Sequence, residues 1–441
     1  EKALGVNVNF DPCVDILYNW RNTIVNTRAY GTDAETVIKY TNAYLDGLTA
    51  ENGENMEDGV IQCIKHFPGD GTEERDQHLV LGVNELSPEE WRASFGKVYQ
   101  NHIDRGVEMI MAGHIAVPAL QKELNSALED KDIMPATLAE ELIQDALKTE
   151  LGFNGLVITD ATHMLGMTSA MRREDYVPKS IAAGCDMFLF FNNIEEDFGF
   201  MLKGYQNGVI TEERLTDALR RILGLKAKLH LPEKQANGTL LRTREDLNVI
   251  GCEEHLQWRA EAADKGISLI KDTQNNLPIN PVDHKRIRLY MLEGEKGGIT
   301  DNGSKAQQLF VDELTKRGYE VTVNERGSRV KGATLKYRDE VDFALEVADI
   351  AGYGAQNNYR IQWSTAMANE VPWFVWEVPH AFVSLNFTTH LHDATMVKTF
   401  VNAYHNNEET IKQVIDKLEG KSEFKGGHND LVWTDKWQAK L

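Results

Sequence analysis

The 441-residue chain is acidic and has the composition of a globular protein. Hydrophobic residues make up 42% of it and charged residues 26%, a balance that fits two or more domains. With 68 acidic and 47 basic side chains it carries a formal charge of -21, which would repel nucleic-acid phosphates and anionic lipids. No run approaches the ~20 apolar residues that cross a bilayer. Nucleic acid and membranes are therefore not expected as partners.

The cysteine pattern excludes two small-domain classes. Cys13, Cys63, Cys185 and Cys252 lie far apart and form no Cys-x-x-Cys motif, which argues against a zinc ribbon or a disulfide framework. We expect free thiols, no metal and no cofactor. A cytoplasmic location is favoured, with a secreted or cell-wall-associated one as the alternative. The start EKALGVNVNF has no Met, so we expect that upstream residues are missing.

The first half of the chain alternates short apolar runs with stretches of helical periodicity. Strands are predicted at VNVNF (6–10), GVIQCI (59–64), EMIMAG (108–113), GLVIT (155–159) and CDMFLFF (185–191). Helices are predicted to begin near Asp33, Pro88, Ala136, Asp175, Glu195 and Thr211. This alternation predicts a parallel sheet, closed into a barrel or doubly wound.

The alternation ends in residues 227–253, a polar stretch without a sustained period, which we interpret as a linker after a first domain of residues 1–226. Further strands are predicted at GISLIKD, RIRLYML, YEVTV, FALEVAD and HAFVSLNF, and helices at SKAQQLFVDELTKRG and NEETIKQVIDKLEG. Residues 254–441 are therefore predicted to form a smaller α/β sandwich domain.

Polar side chains follow each of the first-half strands. These are Lys65 and His66, His114, Asp160, and Asn192 with Asn193. In a barrel or a doubly wound sheet the carboxyl ends of the strands meet on one side. A hydrophilic strand end or a helix cap explains any one of these residues equally well, but together they indicate one shared pocket.

Two of these positions leave several chemical interpretations open. The carboxylate of Asp160 could be a nucleophile, a metal ligand or the N-cap of the next helix, and the local pattern alone favours the cap. Lys65 and His66 could bind the hydroxyl groups of a carbohydrate or form a salt-bridged strand end.

The segment KHFPGDGTEERDQH (65–78) ends in Asp76-Gln77-His78. An Asp that accepts from one ring nitrogen of a His fixes its tautomer and leaves the other nitrogen available for proton transfer. The spacing permits such an acid/base pair but does not require it.

Two patterns in the second half are interpreted as structural. His390-Leu391-His392-Asp393 has the composition of a metal cluster, but short His-x-His segments in loops are usually incidental. Three tryptophans could stack on sugar rings, although such side chains more often belong to a core or an interface; they are Trp363, Trp373 and Trp376.

Four segments together resemble glycoside hydrolase family 3, and most closely its β-N-acetylglucosaminidase branch. In order and spacing they are KHFPGDG with DQH, MAGHIAVPAL, PATLAEELIQDALKTELGFNGLVITDA and AAGCDMFLF. The resemblance covers residues 1 to about 225 and, more weakly, the second domain of two-domain members. It implies a (β/α)8 TIM-like barrel followed by an α/β/α sandwich. The family's first two barrel strands have no counterpart here, so we expect a barrel that is incomplete at its N-terminus.

The resemblance also implies an activity and the residues that carry it. It is that of a retaining exo-β-N-acetylglucosaminidase, acting on muropeptide or chitin-type oligosaccharides through a covalent glycosyl-Asp intermediate. Asp160 matches the family's nucleophile, and Asp76 with His78 matches its acid/base pair. The implied substrate-binding residues are Lys65, His66 and Arg28 of NTRAYG, and His163 is a further candidate.

The chain departs from the family pattern at three places and leaves other functions open. It has Asp70 where the family loop has His, Gln77 where it has Ser, and Thr162-His163 after the nucleophile. The enzymatic alternatives are a β-N-acetylglucosaminide phosphorylase, because a histidine acid/base does not repel phosphate, and a β-glucosidase. A catalytically silent sugar-binding protein is the alternative of another class. In each case the partner is a small carbohydrate, and the chain is expected to be a monomer or a homodimer.

Overall fold

The computed structural model describes residues 1–50, 56, 59–294, 304–350, 359–434 and 436–441. The chain forms two compact units, Glu1–Ile250 and Gly251–Leu441. The division lies inside residues 227–253, whose role as a linker stays a prediction. Among the described residues, every helix is too short or too polar to cross a bilayer.

The first unit is built on a parallel sheet. Its strands are β1 (Val8–Asn9), β2 (Ile61–Phe67), β3 (Gly82–Val83), β4 (Met109–Ala112), β5 (Ile115–Ala116) and β6 (Leu156–Thr159). The main sheet has the order β1-β2-β4-β6, and β3 pairs with β5. All pairings are parallel. Helices connect the strands, as in the predicted TIM-like barrel domain.

Helical segments of this unit begin close to each of the six predicted positions. The helices are α1 (Ala34–Thr49), α2 (Pro88–Trp91), α3 (Lys97–Asp104), α4 (Pro118–Leu124), α5 (Leu165–Thr168), α6 (Arg173–Ala182), α7 (Ile194–Gln206), α8 (Glu212–Lys228) and α9 (Leu231–Ala236), with π-helical Arg92–Gly96 and Glu141–Glu150. Of these, α4, α5 and α9 were not predicted. Side-chain caps explain the starts, because Asp33, Ser87 and Thr211 each accept a backbone N–H of the first turn.

Both faces of the main sheet are buried, which explains why its strands read as continuous apolar runs. Ile110 and Val157 point into the core cluster under the outer helices. Met109 and Ile158 point to the opposite face, where Leu229 packs. The alternation of side chains along each strand thus anchors the sheet on two sides and fixes the direction of the strand ends.

The fifth predicted strand, residues 185–191, is wrong as a strand. The segment contributes a single parallel bridge between Met187 and Ile158. The physical reason is Asp186, whose buried carboxylate accepts the backbone N–H of Val157 and pairs with Arg214. The Asp186 side chain thus replaces part of the backbone hydrogen bonding of a strand. The extended conformation ends at Phe190, which has a φ of 41°.

The second unit is a mixed α/β sandwich. Its strands are β7 (Ser268–Asp272), β8 (Arg286–Glu293), β9 (Glu320–Val323), β10 (Phe343–Asp349), β11 (His380–Ser384) and β12 (Thr399–Asn402). They form one sheet of order β7-β12-β11-β10-β8-β9, in which β7 is antiparallel to β12 and the other pairs are parallel. The helices are α10 (Glu253–Gly266), α11 (Ala306–Lys316), α12 (Thr334–Glu340) and α13 (Glu408–Leu418).

Candidate active site

The candidate active site lies at the carboxyl ends of β2, β4 and β6. Phe67, Ala112 and Thr159 are paired across these strands, so the residues next to them come together. The backbone N–H of Asp160 extends the ladder by donating to the carbonyl of Ala112 at 2.8 Å. His66, His114 and Asp160 are thereby placed at one edge of the sheet, as predicted for a parallel sheet.

His66 is held by Asp15, a partner that the sequence reasoning missed. The Nδ1 of His66 lies 2.7 Å from Oδ2 of Asp15, and its backbone N–H donates to Oδ1 at 3.1 Å. Burial lowers the pKa of His66, but the Asp15 carboxylate outweighs this and raises it to about 10. The pair is therefore ionised at neutral pH, and the second ring nitrogen, Nε2, lies 3.9 Å from Asp160.

Asp160 is an ionised carboxylate at the end of β6. Its Oδ1 accepts the backbone N–H of Ala161 at 2.7 Å, and its side chain is 14% exposed. Burial raises the pKa of Asp160, but the positive charge of His66 and the other neighbours together hold it below the ordinary value. The N-cap interpretation is wrong, because the next helix, α5, has Met164 at its N-cap.

The predicted acid/base pair is in hydrogen-bond contact. His78 Nδ1 lies 2.6 Å from Oδ1 of Asp76, which also accepts the backbone N–H of His78 at 2.8 Å. Asp76 is fully buried, whereas the His78 side chain is 38% exposed. The pairing engages Nδ1, which leaves the other ring nitrogen, Nε2, for proton transfer. Attraction to His78 is the last and smallest of the causes that lower the pKa of Asp160.

Asp70 and Gln77, the departures from the family pattern, are both buried under this site. The Oδ1 of Asp70 accepts from Asn22 Nδ2 at 2.9 Å, and its backbone N–H donates to Asp15 at 2.8 Å. Burial, together with the charge of Asp15, raises the pKa of Asp70 to about 7. The Oε1 of Gln77 accepts the backbone N–H of His114 at 2.7 Å.

The remaining predicted substrate-binding residues differ in their placement. Lys65 is half-buried in β2, where its backbone bonds to Pro12 and Val14. Burial lowers the pKa of the half-buried Arg28, but acidic groups that include Asp160 raise it overall. His163 lies on the surface, with its ring 6.3 Å from that of Phe190.

His114 is buried at the end of β4 and is neutral. Burial lowers its pKa, and its ring contacts Thr137 Oγ1 at 3.0 Å and the carbonyl of Ala161 at 2.9 Å. Since a carbonyl only accepts, Nε2 carries the proton and Nδ1 accepts from the hydroxyl. His114 thus supports the backbone that follows Asp160.

One group of side chains has the composition of a metal site. Within the described ranges, Cys13, Asp15 and His66 are the group whose ligand atoms lie within 4.8 Å of one another. The hydrogen bond between Asp15 and His66 already accounts for this proximity. The residues of the His-x-His segment have separate partners: His390 contacts Ser384 and the carbonyl of Tyr359, His392 contacts Thr434, and Asp393 pairs with Arg360.

Residues 1–225 match the glycosyl hydrolase family 3 N-terminal domain. The chain belongs to glycoside hydrolase family 3. It is 40% identical over 445 residues to a β-N-acetylglucosaminidase/β-glucosidase of Cellulomonas fimi, a match that covers 100% of this chain and 77% of that protein. Several relatives named β-hexosaminidase are matched over about half of their own length. The family assignment makes the chain a glycoside hydrolase.

Solved structures give the same fold. A β-glucoside phosphorylase superposes with a TM-score of 0.92 at 37% identity, covering 100% of this chain and 77% of that one. A family 3 β-N-acetylglucosaminidase from Paenibacillus sp. str. FPU-7 superposes with a TM-score of 0.76 at 22% identity, covering 96% of this chain and 76% of that one. The barrel-plus-sandwich prediction is confirmed.

Proposed function

We propose that this chain is a retaining exo-β-N-acetylglucosaminidase that works through a glycosyl-Asp160 intermediate. The observation that carries the proposal is the buried Asp76 carboxylate at 2.6 Å from His78, within electrostatic reach of an ionised Asp160. A retaining mechanism requires one group that attacks the anomeric carbon and a second that donates and then accepts a proton. These side chains have the chemistry for both roles.

In the first step, a carboxylate oxygen of Asp160 attacks the anomeric carbon of the terminal sugar. The bond to the glycosidic oxygen breaks, its electron pair stays on that oxygen, and the Nε2 proton of His78 neutralises the leaving group. Asp76 stabilises the protonated imidazole before transfer and holds its orientation. The attack inverts the anomeric configuration and leaves a covalent α-linked ester on Asp160.

In the second step, the neutral His78 removes a proton from a water molecule that attacks the same carbon. The ester bond breaks, the electron pair returns to Asp160, and the sugar leaves with its original β configuration. His78 is protonated again and ready for the next cycle.

Three cationic side chains would bind the sugar. The protonated His66 presents Nε2 beside Asp160, where it can donate to a ring hydroxyl. Lys65, one residue earlier on β2, and Arg28, which is surrounded by acidic groups, supply further donors. His163 is proposed only as an outer contact, because it lies on the surface of the loop after Asp160.

Phosphorolysis is the second candidate reaction. A solved relative at 37% identity is named a β-glucoside phosphorylase, and the acid/base proposed here is a histidine. A neutral histidine lacks the negative charge with which a carboxylate would repel incoming phosphate. Two terminal sugars, N-acetylglucosamine and glucose, are likewise candidates for the substrate, because the Cellulomonas relative is named for both N-acetylglucosaminidase and glucosidase activity.

The test combines two chromogenic substrates with and without inorganic phosphate. We expect release of nitrophenol from nitrophenyl N-acetyl-β-glucosaminide, faster than from the β-glucoside, with N-acetylglucosamine as product. Sugar 1-phosphate formed in phosphate buffer would assign the phosphorylase instead. Near-normal turnover by Asp160→Ala or His78→Ala would overturn the proposed roles. No turnover of either substrate would favour a silent sugar-binding protein.

A further inference from the structure

The side chain between the two members of the acid/base pair is buried and fully oriented. Gln77 is 1% exposed, and its Oε1 accepts the backbone N–H of His114 at 2.7 Å. A backbone N–H is only a donor, so the oxygen of the amide must face it. The Nε2 then faces Oδ2 of Asp70, a carboxylate acceptor, at 3.4 Å.

These two hydrogen bonds join the acid/base loop to the rest of the candidate site. On one side, His114 follows β4 and its ring supports the carbonyl of Ala161, next to Asp160. On the other side, Asp70 is held by Asp15 through its backbone N–H, and Asp15 binds His66. The Gln77 side chain therefore connects the loop to the residues that support both Asp160 and His66.

The backbone of the loop is fixed at the same point. The carbonyl of Gln77 accepts the N–H of Gly166 at 3.1 Å, and the carbonyl of His78 accepts the N–H of Leu165 at 3.0 Å. These donors lie at the start of α5, shortly after Asp160 in the chain. The loop that carries His78 is thus attached to the segment after Asp160 by two backbone hydrogen bonds. The Gln77 side chain attaches it in addition to His114 and Asp70.

We propose that Gln77 is a positioning residue that sets the placement of His78 relative to Asp160. The inference rests on the proposed function, in which His78 exchanges protons with the leaving group and with water. Without the amide, Asp76 still orients the ring, but the loop loses its bonds to His114 and Asp70. A displacement of about 1 Å in a reacting group lowers a rate by about 10²-fold.

The experiment uses the dependence of the rate on the leaving group. Dinitrophenolate leaves a dinitrophenyl glycoside without protonation, whereas an alkyl or sugar aglycone needs the proton of His78. Azide attacks the glycosyl-Asp160 ester without a base, so it bypasses the second role of His78. For Gln77→Ala we expect kcat/KM to fall about 10²-fold on the poor leaving group and much less on the good one. On the good leaving group, where breakdown of the ester limits kcat, we expect kcat to fall and to recover with azide as a glycosyl azide forms.

Gln121 offers a matched control for general destabilisation. It is also buried in the first unit, its Oε1 accepts the backbone N–H of Val117 at 2.9 Å, and its Nε2 donates to Glu141 at 2.7 Å. Gln121→Ala should lower stability but reduce activity on both leaving groups equally, with no response to azide. The same behaviour in Gln77→Ala would overturn the inference.

A second variant keeps the test decisive should Gln77→Ala fold poorly. Gln77→Glu retains the acceptor for His114 but places a carboxylate against Asp70, so it should show the same dependence on the leaving group. His78→Ala separates this inference from the proposed function. If His78→Ala responds to the leaving group and to azide and neither Gln77 variant does, the positioning role is wrong while the acid/base role stands. If His78→Ala itself shows no response, the proposed function fails.

Discussion

Replacing Asp15 by Asn tests the electrostatic basis of the site. The substitution keeps the size of the side chain and leaves His66, which is 4% exposed, without its counterion. The pKa of His66 is about 10 in the folded protein and about 6.5 ordinarily, a difference of about 3.5 units. At 1.36 kcal/mol per unit, this net shift, of which Asp15 is the main favourable cause, corresponds to about 5 kcal/mol of folded-state stability, close to the cost of removing one partner of a buried ion pair.

The sign of the pH dependence follows from the direction of that shift. Because the pKa of His66 is raised on folding, its contribution is full below about pH 6.5 and is lost as the pH rises through 10. The loss of unfolding free energy in Asp15→Asn should therefore be about 5 kcal/mol near pH 5.5, about 3 kcal/mol near pH 7.5 and about 1 kcal/mol near pH 9.5. Urea unfolding of both proteins at the three pH values measures it.

Asp197→Asn is the control for this series. Asp197 is also buried, but its partner Arg173 keeps its charge over the whole range, so the destabilisation should not vary with pH. Loss of the His66 charge should also raise the pKa of Asp160 and move the acid limb of the kcat/KM profile to higher pH. A destabilisation by Asp15→Asn that is equal at all three pH values would refute the reasoning.

Three further predictions concern buried residues within each of the two units. In Gly166→Ala the new Cβ would lie 2.7 Å from His114 Cβ and 2.9 Å from the carbonyl of Gln77, so we expect lower turnover and a stability loss of about 1–3 kcal/mol, whereas Gly199→Ala in α7, with open space around it, should be tolerated. Burial raises the pKa of Glu346, whose carboxylate oxygens have no hydrogen-bond partner among the described residues. The free energy of unfolding therefore falls as the pH rises above the pKa of this carboxyl in the unfolded chain. Glu346→Gln should therefore raise Tm more at about pH 8 than at about pH 5, and an equal shift at both would count against the argument. Burial lowers the pKa of His390 to about 4 in the folded protein. The stability that His390 contributes is therefore full above the unfolded pKa of about 6.5, and it falls by about 2 kcal/mol by pH 5. His390→Asn should remove that part of the acid sensitivity in urea unfolding.

The sequence was sufficient to predict an element where the local residue pattern alone determines its structure. The apolar runs of β2, β4 and β6 are buried on both faces and could form little else than central strands, and capping side chains such as Asp33 and Thr211 marked the helix starts. The Asp76–His78 contact was also accessible, because two residues at this spacing can meet without help from the rest of the fold.

Long-range partners were not accessible in the same way. Asp15 lies 51 residues from His66 and follows the short run CV, so nothing local distinguishes it from any other acid. Asp70 and Gln77 looked like unexplained departures because their partners, Asn22 and His114, are remote in the sequence. In the second unit, α10 was missed because none of its side chains is buried, which removes the apolar stripe that marks a helix.

The most direct test of the central proposal is to trap the covalent intermediate. In His78→Ala the second step lacks its base, so a dinitrophenyl glycoside should convert the enzyme to a stable glycosyl ester. Mass spectrometry of the quenched and digested protein should then find one added sugar on the peptide that contains Asp160. An added sugar on another carboxylate, or release of free sugar with no labelled Asp160 at any time point, would contradict the proposed mechanism.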